Sequence, residues 1–252
     1  MRILLANDDG INSTGFSVLE RIARELSDDV WVCAPETEQS AASHSLTIHR
    51  PLRLRKIEEK RFAVDGTPTD CVLLAVNHMM KDKRPDLVMS GVNHGRNIAE
   101  DVTYSGTIAA AMEATLLGIR AIAFSQQFAD GRRPDWETAA RWGAEVARKA
   151  IATDWPDQVL VNVNFPAVDP DAVTGIAVVP HGLRKIGDVL EERTDPRGRS
   201  YFWNSSVFTL GETEEDTDVA ALRDGYITVT PLHFDLTHYP MLREWKDREW
   251  KV

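Results

Sequence analysis

Two adjacent carboxylates, Asp8 and Asp9, stand near the start of the sequence in the segment NDDG. They follow the short apolar run at residues 3–6, which predicts a buried strand that ends at the pair. Adjacent carboxylates repel each other unless a cation or several donors hold them, and hard divalent cations prefer such oxygen ligands. Asp8 and Asp9 are therefore the first candidate metal ligands.

Two later loops add oxygen donors that could complete such a site. The polar segment ETEQSAASHS follows a second predicted strand and offers the hydroxyl of Ser40, although this segment taken alone favours a solvated loop of capping residues. The segment SGVNHGRN follows another predicted strand and offers the amide oxygen of Asn93. Because ligands bind at the carboxyl ends of strands in open α/β sheets, we expect all three segments to meet at one edge.

A third cluster, YSGT at residues 104–107, precedes an alanine-rich helical segment. The free N–H groups at the start of a helix, with hydroxyls beside them, attract phosphate. Ordinary helix capping by Ser105 is an equally supported interpretation of this segment. A metal site beside such a helix favours phosphoryl chemistry, and the chain lacks the GxxxxGK[ST] motif of a nucleoside triphosphatase. We therefore predict hydrolysis of a phosphomonoester by metal-activated water.

Other mechanisms and functions stay open at this point. A covalent aspartyl-phosphate is the rival mechanism, since carboxylates can be nucleophiles, but the segment NDDG lacks the DxD spacing common in such enzymes. His44 and the segment near His233 are candidates for a general acid, and Asp70 is a minor catalytic candidate because helix capping explains it. A non-catalytic nucleotide or phosphate sensor is the main functional alternative. An NAD-type oxidoreductase is disfavoured because no GxGxxG follows the first strand.

The elements that must position these residues alternate between strand and helix. A strand, a helix with apolar residues at helical spacing and a second strand lie within the first 35 residues, which predicts a parallel βαβ unit. We expect a three-layer α/β/α, Rossmann-like, mostly parallel sheet with a β-hairpin extension and a C-terminal swapped arm. The hairpin extension is predicted from strand patterns at residues 46–48, 52–54 and 62–64, and Thr69 is the expected cap of the helix that follows.

The C-terminal part of the chain differs in composition from the rest. Charged and turn residues with interspersed aromatics at about 181–215 predict an extended arm or hairpin that docks on another subunit. Residues 226–232 alternate like a strand of an antiparallel pair, and residues 238–252 predict a helical tail. We expect residues 1–252 to form a single α/β domain that carries these two appendages.

Composition limits the possible partners. The net charge of −10 and the pI near 5.2 argue against a nucleic-acid polymer as partner. No apolar run of about 18 residues predicts a membrane span, and no secretory signal is evident. The two cysteines, Cys33 and Cys71, are expected to be buried, reduced thiols of a cytosolic protein.

Several motifs stand in a specific order along the chain: NDDG, QSAASHSLT, GTPTDC, SGVNHGRN and YSGTIAAAME. Together with the later segment TDVAALRDGYITVTPL, they make the chain resemble the SurE family of survival-protein nucleotidases from Met1 to about Thr237. The departures are local. His94 and Arg96 fill variable positions of the fourth motif, and the resemblance does not cover the tryptophan-rich tail after His238.

The resemblance implies a cytoplasmic phosphatase that acts on nucleoside 5′- and 3′-monophosphates and uses Mg²⁺ or Mn²⁺, one ion per subunit. Carried over by position, the metal ligands are Asp8, Asp9, Ser40 and Asn93, and the first two are also the catalytic residues. The implied phosphate ligands are Asn97, Ser105, Gly106 and Thr107. The resemblance also implies a homodimer or homotetramer with an exchanged C-terminal arm.

Overall fold

The computed structural model describes residues 1–129, 135–183, 189–205, 214–248 and 250. Its strands are β1 (Arg2–Ala6), β2 (Asp29–Pro35), β3 (Leu54–Glu58), β4 (Arg61–Val64), β5 (Leu87–His94), β6 (Arg120–Gln126), β7 (Val159–Phe165), β8 (Gly175–Val178), β9 (Val189–Thr194), β10 (Ser200–Ser205) and β11 (Tyr226–His233). Its α-helices are α1 (Thr14–Arg24), α2 (Pro68–Leu74), α3 (Asp101–Tyr104), α4 (Gly106–Leu116), α5 (Glu137–Ile151), α6 (Asp218–Arg223) and α7 (Tyr239–Lys246). A π-helical turn, Ala75–Met79, extends α2, and Pro170–Ala172 forms a short 3₁₀ helix.

The larger sheet is mixed but mostly parallel, in the order β3-β4-β2-β1-β5-β6-β7-β11-β8. β1 pairs in parallel with β2 and β5, and β5, β6 and β7 continue the parallel run. β11 runs antiparallel to β7, as the sequence predicts. The carboxyl ends of β1, β2, β5 and β6 therefore meet at one edge of the sheet, as expected for an open α/β fold.

Helices cover both faces of this sheet, because the alternating residues of β1 enter two separate cores. Ile3 and Leu5 pack with α1 and α5, whereas Leu4 and Ala6 pack with α2 and α4. A strand that is buried on both faces explains why its sequence is a continuous apolar run rather than an alternating one. The predicted three-layer α/β/α architecture is confirmed.

Local sequence explains where the helices begin. Ser13 caps α1 by accepting a hydrogen bond from the N–H of Phe16, and Ser105 caps α4 in the same way. The expected cap at Thr69 is wrong: Thr67 caps α2, in a reciprocal pair with Asp70. Two threonines flank the proline that begins this helix, and proline is favoured at the first helical position, so the cap lies before it.

The hairpin extension is shorter than predicted. β3 and β4 form the expected antiparallel pair, but residues 46–48 and 52–53 lie outside any strand. The backbone N–H of Thr47 donates instead to the carboxylate of Asp70, at 3.1 Å, and the hydroxyl of Thr67 donates to the carbonyl of Ser45. These contacts hold residues 45–47 against the start of α2.

The predicted arm contains an antiparallel hairpin of β9 and β10, and residues 184–188 and 206–213 of the arm lie outside the described part of the chain. Tyr201, Phe202 and Trp203 on β10 are exposed, and so are Leu242 and Trp245 of α7. Among the described helices, none is long and apolar enough to cross a membrane.

Candidate active site

Asp8 lies at the centre of the site, immediately after β1, and is only 5% exposed. The hydroxyl of Thr107, in the first turn of α4, donates to its Oδ1 atom. Gly106 permits this close approach: a Cβ atom there would lie 2.7 Å from the Cβ and 3.0 Å from the Oδ2 of Asp8. The N-terminus of α4 therefore begins directly against the Asp8 carboxylate.

Burial disfavours the charged forms of both carboxylates. Desolvation raises the pKa of Asp8 from 3.8 to about 6; the neighbouring charge of Asp9 adds to this, and hydrogen bonds from Thr107 oppose it. Desolvation also raises the pKa of Asp9, with a smaller contribution from Glu38, whereas the backbone N–H of His94 lowers it by donating to Oδ2 at 2.9 Å. A divalent cation between these groups would favour their ionised forms.

The Ser40 loop lies beside this pair. The N–H of Gln39 donates to the backbone carbonyl of Asp8 at 2.7 Å, and the hydroxyl of Ser40 donates to Oε1 of Glu38 at 2.6 Å. Further along, the hydroxyl of Ser43 donates to the carbonyl of Thr103 at 2.8 Å. The loop is thus fixed both to the end of β1 and to the segment that leads into α4.

The Asn93 segment reaches the site from β5. Its backbone position depends on Gly91, because a Cβ there would lie 2.2 Å from the carbonyl oxygen of Phe124 and the φ angle is +122°. The Nδ2 atom of Asn93 donates to the carbonyl of Gly95 at 2.9 Å. This leaves the Oδ1 atom of Asn93 as the oxygen that could bind a cation.

These donors suit a hard cation that binds oxygen. Within the described residues, no three His, Cys, Asp or Glu side chains come together as a metal site, so the two aspartates would need neutral oxygens to complete a shell. The hydroxyl of Ser40 and the amide of Asn93 are such oxygens. The segments that carry Ser40 and Asn93 contact the aspartates through the backbone N–H groups of Gln39 and His94. The donor set therefore fits Mg²⁺ or Mn²⁺ rather than a thiolate- or imidazole-bound metal.

The raised pKa of Asp8 predicts a pH dependence of stability for the metal-free protein. The folded state binds the Asp8 proton more tightly than the unfolded chain does, so the free energy of unfolding falls as pH rises from about 4 to about 6, by roughly 1 to 3 kcal/mol. Urea unfolding in the presence of chelator measures this. Asp8→Asn should lack this part of the pH dependence; parallel curves for the two proteins would contradict the prediction.

The four predicted phosphate ligands divide into two groups. Ser105, Gly106 and Thr107 form the start of α4, where Gly106 and Thr107 lie against Asp8 and the Ser105 hydroxyl caps the helix. Asn97 is buried in a polar network, where its Nδ2 donates to Ser125 Oγ at 2.9 Å and its backbone N–H to Asn164 Oδ1 at 2.7 Å. Asn97 therefore anchors its loop to β6 and β7.

The three candidates for general acid–base catalysis have different surroundings in the structure. The Nε2 atom of His44 lies 3.0 Å from Oε2 of Glu113 on α4, and Asp70 is engaged by Thr67 and Thr47. His233 as a general acid is wrong for this chain, because β11 runs antiparallel and pairs His233 with Val159, at the opposite edge of the sheet. Sequence reasoning did not single out Glu38, whose carboxylate accepts a hydrogen bond from Ser40 and helps to raise the pKa of Asp9. Its position in a polar loop, two residues before Ser40, carried no distinguishing signal.

Comparison with known proteins identifies the family. The sequence model described as survival protein SurE matches residues 3–188. The chain belongs to the SurE family. A 5′-nucleotidase SurE from Paramagnetospirillum magneticum is 58% identical over 238 residues, which cover 94% of this chain and 92% of the relative. Another 5′-nucleotidase SurE, from Rhodospirillum rubrum, is 56% identical over 244 residues, 96% of this chain and 93% of the relative.

The structural comparison agrees with the SurE assignment. The crystal structure of the SurE protein from Aquifex aeolicus has a TM-score of 0.84 and 39% sequence identity, and the match covers 98% of each chain. The residues that match the SurE family model include every candidate ligand from Asp8 to Thr107, whereas the tail helix α7 lies beyond them.

Proposed function

We propose that this chain is a divalent-metal-dependent phosphatase that hydrolyses nucleoside 5′-monophosphates, and also 3′-monophosphates, to nucleoside and phosphate. The observation that carries the proposal is the direct contact between the start of α4 and the Asp8 carboxylate, made through Thr107 and Gly106. This contact lays a helix terminus suited to phosphate against a carboxylate pair suited to a cation. The relatives named 5′-nucleotidase support the nucleotide as substrate class.

Each residue would have a distinct task in this reaction. Asp8, Asp9, Ser40 and Asn93 would hold one Mg²⁺ or Mn²⁺ ion per subunit. When bound, the ion would supply Lewis-acid polarisation of a phosphoryl oxygen and a water of lowered pKa. Thr107 and the backbone N–H of His94 each engage one carboxylate oxygen, which fixes the orientation of Asp8 and Asp9. Asn97 and the residues at the start of α4 would receive the phosphate.

Phosphate release from AMP and GMP tests this function. We expect turnover with Mn²⁺ or Mg²⁺ that stops after addition of a chelator and returns when metal is restored. Metal-independent turnover would contradict the metal site. Tight binding of nucleoside monophosphates with no turnover in either metal would contradict the enzyme and would favour a non-catalytic sensor.

We also propose that the chain forms a homodimer or homotetramer through its C-terminal arm. Phe202 and Trp203 on β10 are 60% and 58% exposed, one on each face of the hairpin, and exposed aromatics of this kind are typical of a segment that another subunit covers. Replacing both by serine should raise the subunit dissociation constant at least about tenfold, measured by light scattering across a dilution series. Ile57→Ser on the exposed face of β3 serves as the control. An unchanged mass at all concentrations would contradict the interface.

A further inference from the structure

An aromatic group formed by His94, Phe128 and Trp136 lies next to the carboxylate pair. The ring of Phe128 is 4.6 Å from that of His94 and 4.9 Å from that of Trp136, between ring centroids. The backbone N–H of His94 is the group that donates to Asp9. His94 also directly follows Asn93 in the sequence. The aromatic group therefore lies beside the candidate metal ligands, on the same edge of the sheet.

This group is anchored on one side and accessible on the other. Trp136 is half-buried against the main core, and its ring lies so close to α1 that a Cβ on Gly15 would approach it to 2.6 Å. His94 is exposed, and Phe128 is half-buried and makes no part of the core clusters. An exposed imidazole that packs on Phe128, which packs in turn on the anchored ring of Trp136, is a preorganised surface for a flat ligand.

A cavity of about 290 Å³ is lined in part by Phe128, and its described lining residues include none of the candidate metal ligands. Gln127, Asp135 and Asp169 are among the residues that line it. Two carboxylates at its wall disfavour a phosphate there, so a bound nucleotide would place its phosphate at α4 and its neutral end here. The side-chain amide of Gln127, at the wall of the cavity, carries one donor group and one acceptor group that suit a base edge.

We infer that His94 and Phe128 form the nucleobase-binding surface of the substrate site, with the base stacked on their rings and its polar edge directed to the adjoining cavity. This inference rests on the proposed phosphatase function and names the part of the site that distinguishes a nucleotide from other phosphomonoesters. Stacking on an aromatic ring tolerates any base, so the surface suits purine and pyrimidine nucleotides alike.

Kinetics with two substrates test the inference, because ribose 5-phosphate shares the sugar and phosphate of AMP but lacks the base. For Phe128→Ala, we expect KM for AMP to rise about tenfold with kcat nearly unchanged. Phe128→Trp should restore the KM for AMP, since it keeps the ring. The KM for ribose 5-phosphate should change by less than about twofold. Phe62→Ala, which removes a ring on β4 that stacks on Trp31 of β2, is the matched control.

Equal losses on both substrates, or no loss on AMP, would overturn the base-binding surface while leaving the phosphatase intact. If the wild-type protein hydrolyses neither substrate, the proposed function fails instead. In that case adenosine binding, measured by titration calorimetry, still decides the inference: binding weakened about tenfold in Phe128→Ala supports it, and equal binding overturns it.

Discussion

Replacing Asp8 by asparagine is expected to lower kcat/KM for nucleoside monophosphates by more than about a thousandfold, because several kcal/mol of metal-derived stabilisation are lost. Asparagine keeps the shape of the side chain and an oxygen that can accept the Thr107 hydroxyl, so the fold should be retained. Above about pH 6, the metal-free variant should be at least as stable as the wild type, because a buried carboxylate whose ionisation destabilises the folded state is removed. Phosphate release and urea unfolding together measure both effects.

Asp29→Asn is the matched control for this substitution. The Asp29 carboxylate lies at the amino end of β2, where Lys60 and Arg2 hold its pKa well below the usual range. Its replacement should leave kcat/KM unchanged and cost a little stability through the lost, partly exposed ion pairs. Turnover that survives in Asp8→Asn would show that the metal assignment is wrong.

The second large effect is expected for Gly106→Ala. Alanine has the higher helix propensity by about 1 kcal/mol, but a Cβ at this position would lie 2.7 Å from Cβ of Asp8 and 3.1 Å from Cγ of Pro68. The Asp8 side chain or the start of α4 must then move. Displacement of a catalytic group by about 1 Å can cost roughly a hundredfold in rate, and we expect a loss of kcat/KM of that size.

Gly143→Ala separates this local effect from general crowding. A Cβ at Gly143, in the middle of α5, would lie 2.4 Å from the Cδ1 of Ile22, away from the sheet edge. We expect a loss of stability of about 1 to 3 kcal/mol with kcat/KM retained. If Gly106→Ala keeps full activity, or if both variants lose activity in proportion to their stability, the close contact of α4 with Asp8 does not serve catalysis.

The location of the candidate site could be predicted from the sequence because the ends of parallel strands suffice to place its residues. Once residues 3–6 were interpreted as a buried parallel strand, Asp8 had to lie at the ligand-binding edge, and the Ser40 and Asn93 segments followed by the same rule. The direction of β11 was predicted as well. Because β11 runs antiparallel to β7, it ends at the opposite edge of the sheet, and His233 therefore lies away from the candidate site.

Contacts between distant segments could not be predicted. Nothing in the sequence near Thr107 indicates that its hydroxyl binds Asp8, because the pairing depends on how closely α4 packs on the sheet. The apolar residues at 46–48 match a strand pattern, yet tertiary contacts with α2 hold that segment outside any strand. Phe128 is unremarkable in sequence, and only the structure places its ring beside His94.

Direct measurement of Mn²⁺ binding tests the central claim, that Asp8 and its neighbours hold one divalent ion. Titration of the protein with Mn²⁺, followed by electron paramagnetic resonance of the free ion, gives affinity and stoichiometry without requiring turnover. We predict one bound ion per chain in the wild type and in Asp29→Asn, and none at the same concentrations in Asp8→Asn. Equal binding by Asp8→Asn and the wild type would contradict the account.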